Sequence, residues 1–342
     1  MIYKRESEII TVTRATAMIM IVLCHYLALF NRLNFISQVL NVGVLVFFLI
    51  SGFLYGQKDI NNNKDWILKQ WKKICIPLWC YYIITGLGLA VMGKLGFLNG
   101  YRVFITLLNL QGFIGGGIGN IQIGHLWFIS YILLCYLLTP LLQQVRKKVS
   151  PKVLCLCCGI LIVVEIIFIM NISVGGFLVW LPGIIIYVGG YFFGAFWNKT
   201  IKRKNYIIIT FIMIMCMILR VGSKYIVDMG MVGNIMKTCY NNVISIYTHC
   251  GLAIWIFLTI YFLGIKFYEV LKAFLGFMKI FERYSYEVYI VHYMFVSGSA
   301  SVFCWIENIA IATGVFIICV ILYSLLLQYI SDFVMKKLNR DY

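Results

Sequence analysis

The chain of 342 residues is 62% hydrophobic and only 12% charged, with a mean hydropathy of +0.93; a soluble core does not absorb that much apolar surface. The apolar residues run on without strict alternation, which fits lipid-facing helices better than barrel strands and predicts an all-α, polytopic membrane protein. The formal net charge of +17 does not call for a nucleic-acid partner, because the basic residues are spread over successive loops as topology determinants and meet anionic lipid headgroups there.

At roughly 20 apolar residues per helical crossing, the sequence predicts ten spans, the first five being Val12 to Phe30, Val39 to Gly56, Ile74 to Met92, Leu126 to Leu142 and Val153 to Asn171. The second half continues with Phe177 to Trp197, Tyr206 to Leu219, Ser245 to Leu263, Glu287 to Ile306 and Ile309 to Tyr329. The broken, Gly-rich stretch Tyr101 to Ile118 reads as a loop or a re-entrant segment and is not counted. The first apolar run has no small-residue cleavage pattern after it and reads as helix one, not a signal peptide. Residues 1–342 are expected to form a single membrane domain with no separate soluble domain.

Lys and Arg collect in cytoplasmic loops, and with the N-terminus inside, 22 of the 29 basic residues fall on that side. The opposite side holds Arg32, Lys94, Arg102, Lys224 and Lys237. Both termini are therefore expected in the cytoplasm. The twelve cysteines sit mostly inside apolar spans, as Cys24, Cys80, Cys135, Cys216 and Cys319 do, and read as small hydrophobes. The Cys155, Cys157, Cys158 cluster lacks a paired second motif, so no metal is expected.

Ionisable residues inside a span are expensive and mark function. In helix one, Arg14 and His25 are eleven residues apart, which brings them to within about 20° of one face and about 16 Å apart along the axis. Such a pair suits a long ligand, with an anionic end at Arg14 and a reactive end at His25; the alternative is an interfacial anchor and a histidine bonded within the bundle. Helix three opens on a basic run, Lys69, Lys72 and Lys73, that leads to Pro77 and suits either phosphate binding or topology. Ser51 and Gly52 in helix two allow close helix approach, and His125 and Trp127 stand at the expected outer interface. Glu165 is the acidic residue well inside a span and the candidate to orient His25, with Glu287 nearer an edge and His292 and His249 as further candidates. The outer segments Gly93 to Ile123 and Val221 to Ile244 either carry acceptor specificity or simply connect helices.

In this order and spacing, the Arg14 and His25 pair, the aromatic stretch ending Ser51, Gly52 and Phe53, the basic run to Pro77, the His125 to Phe128 segment and Tyr284 to His292 resemble the acyltransferase 3 family of membrane acyltransferases, whose members include polysaccharide and peptidoglycan O-acetyltransferases. The resemblance covers essentially the whole chain. It implies a cytoplasmic acyl-CoA donor, acetyl-CoA first, and an extracytoplasmic glycan or glycolipid acceptor, with His25 as the catalytic histidine and Arg14 its partner. The family's Arg-x-x-Arg pattern becomes Lys69 and Lys72 here, point charges without the bidentate fork. A neutral His25 suits general-base removal of the acceptor hydroxyl proton, and an acyl-histidine intermediate is the other route. A transporter or flippase for a glycolipid or small solute is the competing class, although no internal repeat pairs the charges of helix one with a later helix. Richness in Ile, Lys and Asn suggests an AT-rich bacterial genome, and with the expected spans makes the chain a multi-pass protein of a bacterial plasma membrane.

Overall fold

The computed structural model describes residues 2–171, 181–197, 203–230, 233–298 and 300–340. Among them there are helices and no strand, as expected for an all-α polytopic membrane protein. Seven stretches are long and apolar enough to cross a membrane: Lys4–Leu27, Asn31–Gly56, Asn63–Val91, Gly124–Lys148, Arg203–Asp228, Ser245–Lys266 and Ile309–Leu338. The expected fifth span, Val153 to Asn171, is likewise a helix, α8 (Pro151–Asn171), and two expected spans take other forms. The sixth contains α9 (Leu181–Ala195), a shorter apolar helix, and its remaining residues before 181 lie outside the described ones. The ninth is broken: α14 (Ser285–Val296) stops where Ser297 turns extended and Gly298 takes φ +88°, a conformation that ends a helix and suits glycine, and a 3₁₀ turn at Val302–Cys304 follows.

Two compact units make up the chain, and each is described by itself. The first comprises Met1–Ala17, Asn41–Asn61 and Leu138–Lys279. Its core is the crossing of α3 (Gly43–Gly56) with α9. Gly52 and Gly56 on one helix, and Gly190 and Gly194 on the other, repeat at four-residue spacing and so fall on one face each. A Cβ at Gly52 would lie 2.1 Å from the Tyr187 carbonyl oxygen, and one at Gly194 2.1 Å from that of Phe53. The backbones therefore touch, which is the close approach that Ser51 and Gly52 predict. Phe53 packs on Phe257 at a 5.0 Å ring separation. Beyond the end of α3, Arg146 donates to the Gly56 carbonyl at 2.7 Å and pairs with Asp59, satisfying a carbonyl of the last helical turn.

Two expected loops of this unit are helical. Helix α10 (Arg203–Asp228) continues nine residues past Leu219, its last turn tied by Lys224 to Asp228 at 2.7 Å, and a short helix α11 (Asn234–Cys239) and a π-turn (Tyr240–Ile244) lead into α12 (Ser245–Lys266). The expected basic loop after Leu263 contains α13 (Tyr268–Arg283), whose exposed Val270, Phe274 and Phe277 share one side. That is the stripe an interfacial helix presents to lipid. Tyr268 and Lys279 of α13 both reach Glu8.

The second unit comprises Met18–Leu40, Asn62–Leu137 and Ile280–Tyr342. Helix α4 (Asn63–Val91) starts eleven residues before the expected span, capped by the Asn62 side chain, which accepts from the Lys64 and Asp65 amides. Pro77 is therefore inside the helix, not in its first turn as the expected boundary at Ile74 placed it. It removes the donor that would meet the Lys73 carbonyl, and one residue on, the Ile74 carbonyl accepts the Tyr286 hydroxyl at 2.7 Å. The Gly-rich segment after Gly93 is ordered: α5 (Gly100–Leu107) and α6 (Gln111–Ile114) fold against α4 and α7 (Trp127–Lys148). Asn109 bonds the Cys75 sulfur at 3.3 Å, and the Gly112 amide donates to Ser130 Oγ at 2.9 Å. Gly117 N–H donates to Thr106 Oγ1 at 2.8 Å, so the glycine run closes a tight turn and is not a free tether. Helix α15 (Ile309–Arg340) packs along α4, with Tyr323 and Thr85 hydroxyls 2.6 Å apart.

Candidate active site

Three of the four histidines converge within the second unit. Helix α1 (Ile2–Leu27) delivers His25 in its last turn, nearer a helix end than the expected span to Phe30 placed it. Helix α14 delivers His292, fully buried, and the 3₁₀ turn Gly124–Leu126 ahead of α7 delivers His125, 5% exposed. His25 Nδ1 lies 2.8 Å from His292 Nε2. The His125 ring centre is 5.2 Å from that of His292 and 6.3 Å from that of His25, and Tyr293 stands 4.9 Å from both His25 and His125. His25 itself is only partly buried, unlike His125 and His292.

The buried pair is fixed by the backbone of α14. His292 Nδ1 lies 2.9 Å from the carbonyl oxygens of both Val288 and Tyr289. His125 Nε2 lies 3.0 Å from the Tyr289 carbonyl and 3.1 Å from that of Ile290. Carbonyl oxygens only accept, so both of these ring nitrogens carry hydrogen and donate. In return the Tyr289 hydroxyl donates to the His125 carbonyl. His125 Nδ1 is left buried without a partner among the described residues. An acceptor left open in this way costs about 1–3 kcal/mol, a cost more often met at working sites than in ordinary cores.

At one end of the same unit, the first turns of α4 and the last turns of α15 border a recess of about 380 Å³ lined by Asp65, Leu68, Lys69, Lys72, Lys73, Ile76, Met335 and Leu338. Three lysines beside apolar side chains, with one carboxylate among them, suit a ligand that carries phosphates on an organic body. Helix α14 links the two places: Tyr286 touches α4 at Ile74, beside Lys73, and His292 follows six residues later, about 9 Å along the axis.

The sequence model described as an acyltransferase domain, acyltransferase 3, matches residues 8–330. The chain belongs to the acyltransferase 3 family. It is a multi-pass membrane acyltransferase, which sets aside the transporter reading. No curated protein and no solved structure matches the chain.

Within this acyltransferase 3 fold, the structure brings together His25, His125 and His292, and separately Lys69, Lys72 and Lys73. Trp127 opens α7 half-buried, with its ring 6.0 Å from Tyr131. Arg14 and Ser51 belong to the first unit, on α1 and α3. Glu165 is carried by α8, and its side chain lies outside the described ones. Among the described residues the group that meets His25 is an imidazole, where triad logic predicts a carboxylate. In the first unit His249 accepts from Arg220 Nη1 at 3.0 Å, and Arg220 is buried within α10. No motif announces Arg220, and its only signal in the sequence is a charge within an apolar run. Among the described residues no group of three or more His, Cys, Asp or Glu is arranged to hold a metal.

Proposed function

We propose that this acyltransferase moves an acyl group, acetyl first, from cytoplasmic acyl-CoA to a hydroxyl of an extracytoplasmic glycan or glycolipid in a bacterial plasma membrane, with both of its termini in the cytoplasm. The observation that carries the reading is a partly buried His25 held through Nδ1 by a fully buried partner, His292. That leaves the other ring nitrogen for chemistry. The donor is a substrate whose phosphates the Lys69, Lys72 and Lys73 recess suits, and the thioester supplies the activated carbonyl.

His25 Nε2 takes the proton of the acceptor hydroxyl as that oxygen forms a bond to the thioester carbon. The C–S bond then breaks, and the proton passes from Nε2 to the leaving thiolate, so that ester and free thiol are the products. Arg14 enters this reading from the family pattern, and Glu165 remains a candidate for a supporting charge. His125, with Nδ1 open, and Trp127 and Ser51 stand as candidates for acceptor contact.

The test is transfer in proteoliposomes supplied with radiolabelled acetyl-CoA and crude envelope glycan. Label should pass to glycan with the wild-type protein and fall by about 10²-fold or more with His25→Ala. Equal label in both would remove His25 from the mechanism.

A further inference from the structure

We infer that His292 is a positioning residue that fixes the tautomer of His25, taking the place that a carboxylate occupies in a catalytic triad; the inference rests on the reading of His25 as the base. The argument runs along one chain of hydrogen bonds. Val288 and Tyr289 each present a carbonyl to His292 Nδ1 at 2.9 Å, so that nitrogen carries the hydrogen. A neutral imidazole has one N–H, and His292 Nε2 is therefore an acceptor. The 2.8 Å contact from His25 Nδ1 to that atom then requires His25 Nδ1 to donate. With its own N–H committed, neutral His25 holds a lone pair at Nε2, the atom that must receive the acceptor's proton. The backbone of α14 thus sets the protonation of a ring on α1 through two imidazoles.

The same bond serves the reaction. When Nε2 gains a proton, the His25 cation still donates through Nδ1, and a hydrogen bond from a cation is shorter and stronger than one between neutral groups. The support therefore grows as positive charge develops, which is where it speeds the reaction. A neutral imidazole in this place also avoids burying a carboxylate charge, which is costly at membrane depth. His125 reinforces the arrangement, since its Nε2–H meets the same Tyr289 carbonyl that receives His292 Nδ1–H. Without His292, the ring of His25 is free to carry its hydrogen at Nε2, and in that form it presents a donor to the hydroxyl and no base.

The experiment has two arms. With only four histidines in the chain, ¹⁵N-histidine labelling of the protein in lipid resolves each side chain, and the His25 signals are assigned by their loss in His25→Ala. At a pH where the ring is neutral, His25 should show a protonated Nδ1 and a bare Nε2; the reverse pattern overturns the inference whether or not activity has been found. The second arm is transfer from acetyl-CoA. His292→Phe fills the space and deletes the acceptor, and should lower kcat by about 10²-fold or more with KM for acetyl-CoA unchanged. His292→Gln, whose amide oxygen reaches the place of Nε2, should recover part of that loss. Equal rates for wild type and both variants, or equal losses in both, overturn the inference. A wild-type protein without transfer activity fails the reading of His25 as the base instead, and leaves the labelling arm to decide the tautomer.

Discussion

Replacing Gly52 by alanine places one methyl group against a backbone. Its Cβ would stand 2.1 Å from the Tyr187 carbonyl oxygen and 2.9 Å from the Tyr191 nitrogen, both main-chain atoms of a helix that cannot turn aside as a side chain would. Restoring an ordinary contact of about 3.4 Å requires α3 and α9 to part by more than an ångström, and that separation loosens the packing of the whole crossing. Overpacking of this kind costs about 1–3 kcal/mol, and backbone against backbone belongs at the upper end. For a chain of this size that is a fall in melting temperature of roughly 4 °C. The assay is thermal unfolding in detergent followed by a thiol-reactive dye, which reads the exposure of buried Cys24, Cys75, Cys80 and Cys135. Gly314→Ala is the control: Gly314 is helical and exposed, with nothing within 4 Å of its missing Cβ, and alanine there should match or slightly exceed the wild type. Gly52→Ala combined with Gly194→Ala should cost less than the two singly, since the helices part only once. Equal melting of Gly52→Ala and Gly314→Ala would refute the reasoning.

Lys69→Ala and Lys72→Ala should each raise KM for acyl-CoA by about tenfold with kcat little changed, the signature of lost ground-state binding, and Lys72→Arg should lower it; steady-state kinetics in proteoliposomes decides. Arg146→Ala removes the donor to the Gly56 carbonyl and should destabilise by about 1–2 kcal/mol. Asp59→Ala should stay within about 0.5 kcal/mol, because the Asp59 side chain is 62% exposed and water already screens the pair. Thermal melts of the two variants separate the hydrogen bond from the ion pair.

The architecture was legible because hydropathy is a local property. Most apolar runs of sufficient length are helical among the described residues, the ninth breaking at Ser297, and Ser51 and Gly52 announced a close approach that Gly190 and Gly194 answer. Boundaries were less legible where polar residues are helical: Lys64 to Lys73 read as a loop by charge, yet the Asn62 cap starts α4 ahead of them and moves Pro77 into the helix interior. Helix α13 went unseen because its apolar runs are broken by charges and none is long enough to span. Of the candidate site, His25 and the lysines could be named from spacing, and His292 stood among the candidates to orient His25, but nothing in the sequence chose it over Glu165. His292 is 267 residues away in sequence, and only the fold shows that its Nδ1 is spent on backbone carbonyls and its Nε2 is left for His25. The scarcity of histidine was the remaining clue, since three of four meet in one place.

The most direct test of an acyltransferase centred on His25 is the ester content of envelope glycan from cells that lack the native copy and carry either the wild type or His25→Ala at equal membrane levels. Alkali-labile acyl esters should be present with the wild type and absent with the variant, and equal ester content in the two would contradict the account.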